Sequence, residues 1–299
     1  MDLIKLVEQF SNEDACHAYL EELRWPDGVR CLRCESPKIG RLAKRKQYEC
    51  SACGYQFSVR TGTVFHDSHL PLWKWFVATY LICESKKGIS ANQLKRTLGC
   101  AYKTAWYLCH RIRSAMTQDE TMLTGIVEAD ETYVGGKAPR SRTKQEAARH
   151  RRDNKTVVLG AVQRGGKIRL RVAPDAKSGT VKGFLADVVA DDAEAIYTDS
   201  HRSYRGIADH NTRHEYVDHS RDEWVRGQIH TNTAESMWSL FDRGVIGSYH
   251  KLSTKHLPAY LDEFAWRWNE RGNPHLFRDT LSRLIAADAL TYADLTKPA

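Results

Sequence analysis

The chain has 299 residues, of which 41% are hydrophobic, and a formal charge of +8. That length allows two or three domains, the apolar content excludes global disorder, and the positive excess favours nucleic acid over a membrane surface as a polyanionic partner. The charge is also clustered. Eight Lys/Arg fall in residues 30–60 against Glu35 and Glu49, and eight more in residues 137–155 against Glu146 and Asp153; phosphate contacts along one groove need such clustering. The longest apolar run, Trp75 to Cys83, is too short to span a bilayer. Residues 1–23 alternate charged and apolar positions and lack a signal-peptide pattern. A soluble, cytosolic protein is expected.

Residues 1–28 read as a small helical segment. Ser11 and Asp14 suggest a capping box opening a helix over Asp14–Leu23, and Trp25-Pro26-Asp27-Gly28 breaks it.

Residues 29–62 carry Cys31-x2-Cys34 and Cys50-x2-Cys53, fifteen residues apart. Two such knuckles supply four thiolates, the tetrahedral set that zinc prefers, and a module this small needs the metal to fold. In an oxidising compartment the same residues would read as two disulfides. A β-hairpin fits between the knuckles, and its Arg41, Lys44, Arg45 and Lys46 are candidate DNA contacts. Cys16, Cys83, Cys100 and Cys109 lack ligand spacing and read as buried structural thiols.

Residues 63–120 are helical, with breaks at Gly88 and Gly99. Ser90 and Gln93 form a capping box, Gly99 permits a tight turn, and a second helix follows over Ala101–Arg113. The pattern fits a helix-turn-helix with Tyr102, Lys103 and Thr104 at the end that meets base edges, and with Ala105, Cys109 and Ile112 buried. An ordinary helical hairpin has the same pattern.

Residues 121–285 change to strand character, with runs at Gly125–Val134 and Thr156–Val162. Lys167–Val172 alternates strictly, as a strand with one wet face does. A helix over Ser178–Ala190, a strand over Ala195–Thr198 and a mainly helical remainder from Thr233 complete an α/β domain; residues 286–299 form a tail. The basic stretch 137–155 reads as a long mobile loop.

Three acids stand out by position. Asp130 lies late in a strand, Asp199 follows one, and Glu235 opens a helix thirty-five residues later. Carboxylates so placed can converge, and a convergent set repels itself unless divalent cations occupy it. Hard oxygen ligands suit two Mg²⁺ or Mn²⁺ ions. Each acid alone also fits a turn or cap, and Glu128 and Glu131 flank Asp130, so spacing leaves the choice among them open.

Taken in order, these pieces resemble bacterial insertion-sequence transposases with a zinc ribbon before a DDE-type, ribonuclease-H-like catalytic domain. The resemblance rests on the two knuckles, Leu72–Phe76, Glu128–Lys137, Tyr197–Tyr204, His230–Trp238 and Gly247–His250. It implies a mixed sheet flanked by helices, and Asp130, Asp199 and Glu235 as ligands of two catalytic ions, with Asn232 the alternative third ligand. It also implies double-stranded DNA partners (terminal inverted repeats and target), a homodimer or larger assembly on DNA, and a place in the bacterial nucleoid. In place of the family's usual Lys or Arg seven residues after the glutamate stands Asp242, and Arg243 beside it is the candidate DNA contact. The rival readings are an inactive zinc-ribbon DNA-binding regulator derived from a transposase and a nuclease that cuts without joining.

Overall fold

The computed structural model describes residues 1–135, 155–208 and 212–297. The basic loop expected over 137–155 lies, apart from Lys155, outside the described residues. The chain divides into two compact units: Met1–Ser85, Ile89–Met116 and Asn273–Ala299 form one, and Lys86–Gly88 and Thr117–Gly272 the other. The sequence places a boundary at residue 285; the structure instead returns residues 273–285 to the N-terminal unit.

In the N-terminal unit, α1 (Leu3–Gln9) and α2 (Glu13–Arg24) each begin at an acceptor side chain. Asn12, not Ser11, caps α2, and it accepts from the Ala15 amide. The ribbon is a three-stranded antiparallel sheet of β1 (Ile39–Leu42), β2 (Gln47–Cys50) and β3 (Gln56–Phe57). Its core consists of Cys31, Tyr48, Cys50 and Phe57, with Trp25 packed against it. Next come α3 (Leu72–Glu84), α4 (Ala91–Leu98) and α5 (Tyr102–Arg113). Pro71 offers α3 no side-chain cap. The Glu13 carboxylate caps it from a distance, accepting from the Leu72 amide at 2.7 Å. Ser90 accepts from the Gln93 amide, and Gly99 turns the chain at φ 58°, a left-handed conformation that favours glycine. Ala105, Cys109 and Ile112 are buried as expected, whereas Cys100 is half-exposed.

The second unit holds a five-stranded mixed sheet. Its strands are β4 (Ile126–Gly135), β5 (Lys155–Gln163), β6 (Ile168–Ala173), β7 (Ala195–Asp199) and β8 (Arg213–Val217), in the order β6-β5-β4-β7-β8. β4 pairs antiparallel with β5 and β5 with β6; β7 runs parallel to β4 and β8 parallel to β7. One face packs on α6 (Ser178–Val188) through Val127, Ala129, Phe184, Leu185 and Ile196. The other packs on α7 (Asn232–Gly244) and α8 (Leu257–Asn269) through Val158, Val162, Trp238, Phe241 and Phe264. The sequence predicts a wet face on β6 at Arg169, yet Arg169 is 4% exposed, because residues 119–121 lie over it: its guanidinium donates to the Asp119 carboxylate and the Thr121 carbonyl. Back in the N-terminal unit, α9 (Leu276–Ala286) brings Phe277 against Phe76, and α10 (Tyr292–Thr296) follows.

Gly160 of β5 faces α7. A Cβ there would lie 2.5 Å from Trp238 Cζ2 and 3.0 Å from Met237 Cε, so the close approach of α7 requires a residue without a side chain. Gly160→Ala is expected to cost about 1–3 kcal/mol through overpacking, read as a lower urea midpoint with an unchanged slope.

Candidate functional site

The parallel ladder between β4 and β7 sets the site. Glu128 stands opposite Tyr197. Two residues further along each strand, on the same face by the period of two, come Asp130 and Asp199. Opposite Asp130 on the other side is Gly160, so the acids emerge on the face covered by α7.

Glu128 connects that strand to that helix. It is fully buried, and spacing alone left it an alternative to Asp130. Thr231, the residue before α7, makes no side-chain cap. Instead the Glu128 carboxylate accepts from the Thr233 and Ala234 amides at 2.7 and 3.0 Å and from the Thr233 hydroxyl at 2.9 Å. A carboxylate at a helix N-terminus satisfies orphan amides and meets the positive end of the helix dipole. Its charge is paired by Arg164 Nε at 2.6 Å, and Arg164 also donates to the Gln228 and His230 carbonyls. Glu128 is thus consumed in holding α7. Glu131 is likewise engaged: it accepts from the buried Tyr204 hydroxyl at 2.5 Å.

Asp130 and Asp199 are left with ligand capacity. Asp130 is half-buried and accepts from the Glu131 amide at 2.9 Å. Burial pushes its pKa up to about 7, and the charges of Glu131, Asp199 and Glu235 push in the same direction. Asp199 accepts from the His201 amide at 2.9 Å, which fixes the turn after β7. Glu235, in the first turn of α7, is half-exposed, with His219 Nε2 at 3.7 Å from its carboxylate. Asn232, one turn earlier, is exposed, as are Asp242 and Arg243; Arg243 Nε donates to the Ser239 carbonyl. Asp130 thus lies within reach of the charges of Asp199 and Glu235, but among the described residues the three carboxylates do not gather their ligating atoms within 4.8 Å of one another, as the four cysteines do.

The cysteine set is tighter. The ligating atoms of Cys31, Cys34, Cys50 and Cys53 all lie within 4.8 Å of one another. Sulfur pairs approach to 3.5–3.6 Å, and the Arg33 amide points at Cys31 Sγ. This donor chemistry fits a structural zinc ion. Of the hairpin cations, Arg41 lies 3.6 Å from Glu21 and Lys46 pairs with Asp14, both on α2, while Lys44 and Arg45 stay exposed. On α5, Tyr102 is exposed and Lys103 Nζ sits 4.1 Å from the Tyr292 ring centroid.

Sequence reasoning missed the Glu128–Arg164 clamp, the Gly160–Trp238 contact and His219. The partners of each are far apart along the chain, so no local pattern marked them.

Residues 122–269 match the family model of the ISXO2-like transposase domain, and residues 11–56 that of the transposase zinc-ribbon domain. The second match begins upstream of the ribbon boundary expected at residue 29, in keeping with the packing of α2 and Trp25 on the ribbon. A protein of Halobacterium salinarum, described as an uncharacterized protein in transposable element ISH50, is 30% identical over 276 residues, spanning 87% of this chain and 92% of its own. A simian T-cell lymphotropic virus intasome, solved in complex with PP2A regulatory subunit B56 gamma, aligns over 76% of this chain and 77% of that one at 12% identity, with a TM-score of 0.31; at that score the likeness carries no argument. Among the described residues no helix is long and apolar enough to cross a membrane.

A carboxyl whose native pKa lies above its unfolded value of 3.8 binds more protons when folded, so stability declines as pH rises through that interval. Without divalent ions, the stability that protonated Asp130 contributes should be lost as pH rises from 3.8 to about 7, against the opposite trend from half-buried His17, whose pKa burial lowers to about 4. Asp130→Asn should flatten that decline and melt about 3 °C higher near pH 8. Thermal denaturation of both proteins across pH measures the difference.

Proposed function

The chain belongs to the insertion-sequence transposases that carry a zinc ribbon and an ISXO2-like transposase domain, and on that premise we propose that it cuts DNA at its element's terminal inverted repeats and joins the freed ends to target DNA. The observation that carries this reading is the β4–β7 ladder, which sets Asp130 and Asp199 two residues past the Glu128–Tyr197 pair on the face covered by α7, the helix whose first turn carries Glu235. A DNA-binding regulator has no use for such a set.

In the proposed reaction a phosphodiester P–O bond is hydrolysed to leave a 3′-hydroxyl. That hydroxyl then attacks a target phosphorus and displaces the adjoining strand. Asp130, Asp199 and Glu235 would hold two Mg²⁺ or Mn²⁺ ions, which supply Lewis-acid stabilisation of charge on the attacking and leaving oxygens when bound. Asp130 must shed the proton it carries below about pH 7 to act as a ligand. Glu128 fixes the first turn of α7, the turn that carries Glu235. Glu235 is preferred to Asn232 as third ligand because a carboxylate brings a charged oxygen donor to a hard divalent ion and the amide brings a neutral one. Arg243, exposed near the end of α7, would contact DNA in place of the missing cation at position 242.

The strand order, with two antiparallel and two parallel pairings around β4, supports a ribonuclease-H-like reading of residues 121–272. The Ser90-capped α4, the Gly99 turn and α5 support a helix-turn-helix that reads the repeats together with Lys44 and Arg45 of the ribbon. A homodimer or larger assembly would bring two ends together.

Asp130→Asn, Asp199→Asn and Glu235→Gln should each reduce strand transfer of a pre-cut end at least about 100-fold while leaving DNA binding intact. Asn232→Ala should reduce it less. A gel assay on labelled end DNA reads both; full strand transfer by Asp130→Asn would remove the assignment, and cutting without joining by the unaltered protein would make it a nuclease.

A further inference from the structure

One cavity in the N-terminal unit has no part in the reaction above. It measures about 560 Å³, within the range of small-molecule sites, and opens beside the first turn of α5. Its walls are aromatic. Trp75, Tyr107 and Tyr292 line it, and Tyr107 and Tyr292 meet edge to face with centroids 5.5 Å apart. Two of the rings are anchored: the Tyr107 hydroxyl donates to the Leu290 carbonyl at 2.5 Å, and Trp75 Nε1 to Ser68 Oγ at 3.0 Å.

The same cavity is supplied with donors. Lys103 and Arg111 line it. Arg111 is 4% exposed, lies over the Trp75 and Tyr107 rings at 5.0 and 5.2 Å, and donates Nη2 to the His66 carbonyl at 2.6 Å. Its buried Nε has no acceptor among the described residues. The N-cap of α5, Ala101, makes no side-chain hydrogen bond, so the amides of Tyr102, Lys103 and Thr104 have no intrahelical acceptor, as at anion-binding helix ends. The one acid on the wall, Asp67, has a side chain 90% exposed.

These features suit a ligand with a flat ring and an anion. The geometry points to a single nucleotide, its base against the aromatic wall and its phosphate at the α5 N-terminus between Lys103 and Arg111. This rests on the DNA-recognition reading of α4 and α5 and narrows it: the nucleotide is an unpaired one at a bound DNA end, drawn out of the stack. Bare phosphate would leave the rings uncovered, and a nucleoside would leave the donors unmatched. Lys103, now over Tyr292, exchanges that ring for the phosphate and frees it for the base.

The test uses the full zinc-loaded chain, with dAMP, dTMP, deoxyadenosine and inorganic phosphate as probes, read by calorimetry. Both monophosphates should bind at least about tenfold more tightly than deoxyadenosine or phosphate. Lys103→Ala should weaken them about fivefold or more without changing the melting temperature, and Tyr292→Ala, which also loses its ring contact with Tyr107, should weaken them about fivefold or more at a temperature where the variant remains folded. Monophosphate binding no tighter than phosphate, or unaffected by both substitutions, overturns the site. A short duplex bearing one unpaired 3′ adenosine should bind more tightly than its blunt form, with the increment lost in Tyr292→Ala; monophosphate binding without that increment overturns the DNA-end source in favour of free nucleotide. Blunt-duplex binding reads the recognition module separately. If it persists while monophosphates fail to bind, only the cavity assignment falls; if no duplex binds while monophosphates do, the recognition reading falls.

Discussion

A buried carboxylate that caps a helix from another element is the constraint on which the candidate site depends. Glu128, fully buried on β4, completes the N-terminus of α7 through the Thr233 and Ala234 amides. Removing one partner of such a group strands a charge in the interior, so the arrangement holds as a unit or fails as one. Its consequence is geometric. The strand that carries Asp130 and the helix that carries Glu235 cannot drift apart while the cap holds, and Gly160 lets Trp238 close the same joint from the neighbouring strand. The N-terminal unit repeats the device: Glu13 of α2 caps α3 at Leu72 and accepts Arg60 Nη2 at 2.5 Å.

The two units solve the problem of a small core differently. The sheet unit buries apolar surface on both faces. The ribbon has four buried core residues, two of them cysteines, and relies on metal–thiolate bonds for what packing cannot supply. It also relies on α2, through Trp25 and the pairings of Glu21 with Arg41 and Asp14 with Lys46. Those pairings divide the basic hairpin into cations shared with the protein and cations, Lys44 and Arg45, that remain exposed.

Much of this was legible in the sequence because it is written in short range. Cysteine spacing marks the ribbon, Ser90 and Gly99 mark the ends of α4, and the strand starts fall within a residue or two of those expected. Other features were not legible because their causes are long range. β8 has the polar sequence Arg213-His214-Glu215-Tyr216-Val217 and is a strand through its pairing with β7. Arg169 looks solvent-facing by alternation and is buried by a segment fifty residues earlier. Asp130 was visible as one of three neighbouring acids, but what sets it apart, that Glu128 and Glu131 are already engaged by α7 and Tyr204, exists only in the fold. The return of residues 273–285 to the N-terminal unit follows from the packing of Phe277 on Phe76 and Phe10, a contact no local pattern announces.

The most direct test of the carboxylate centre is anomalous diffraction from crystals of the protein soaked in Mn²⁺. Two manganese peaks liganded by Asp130, with Asp199 and Glu235 completing their shells, is the predicted result. Manganese bound elsewhere with Asp130 unliganded, or acids that stay apart in the presence of saturating metal and DNA, would contradict it.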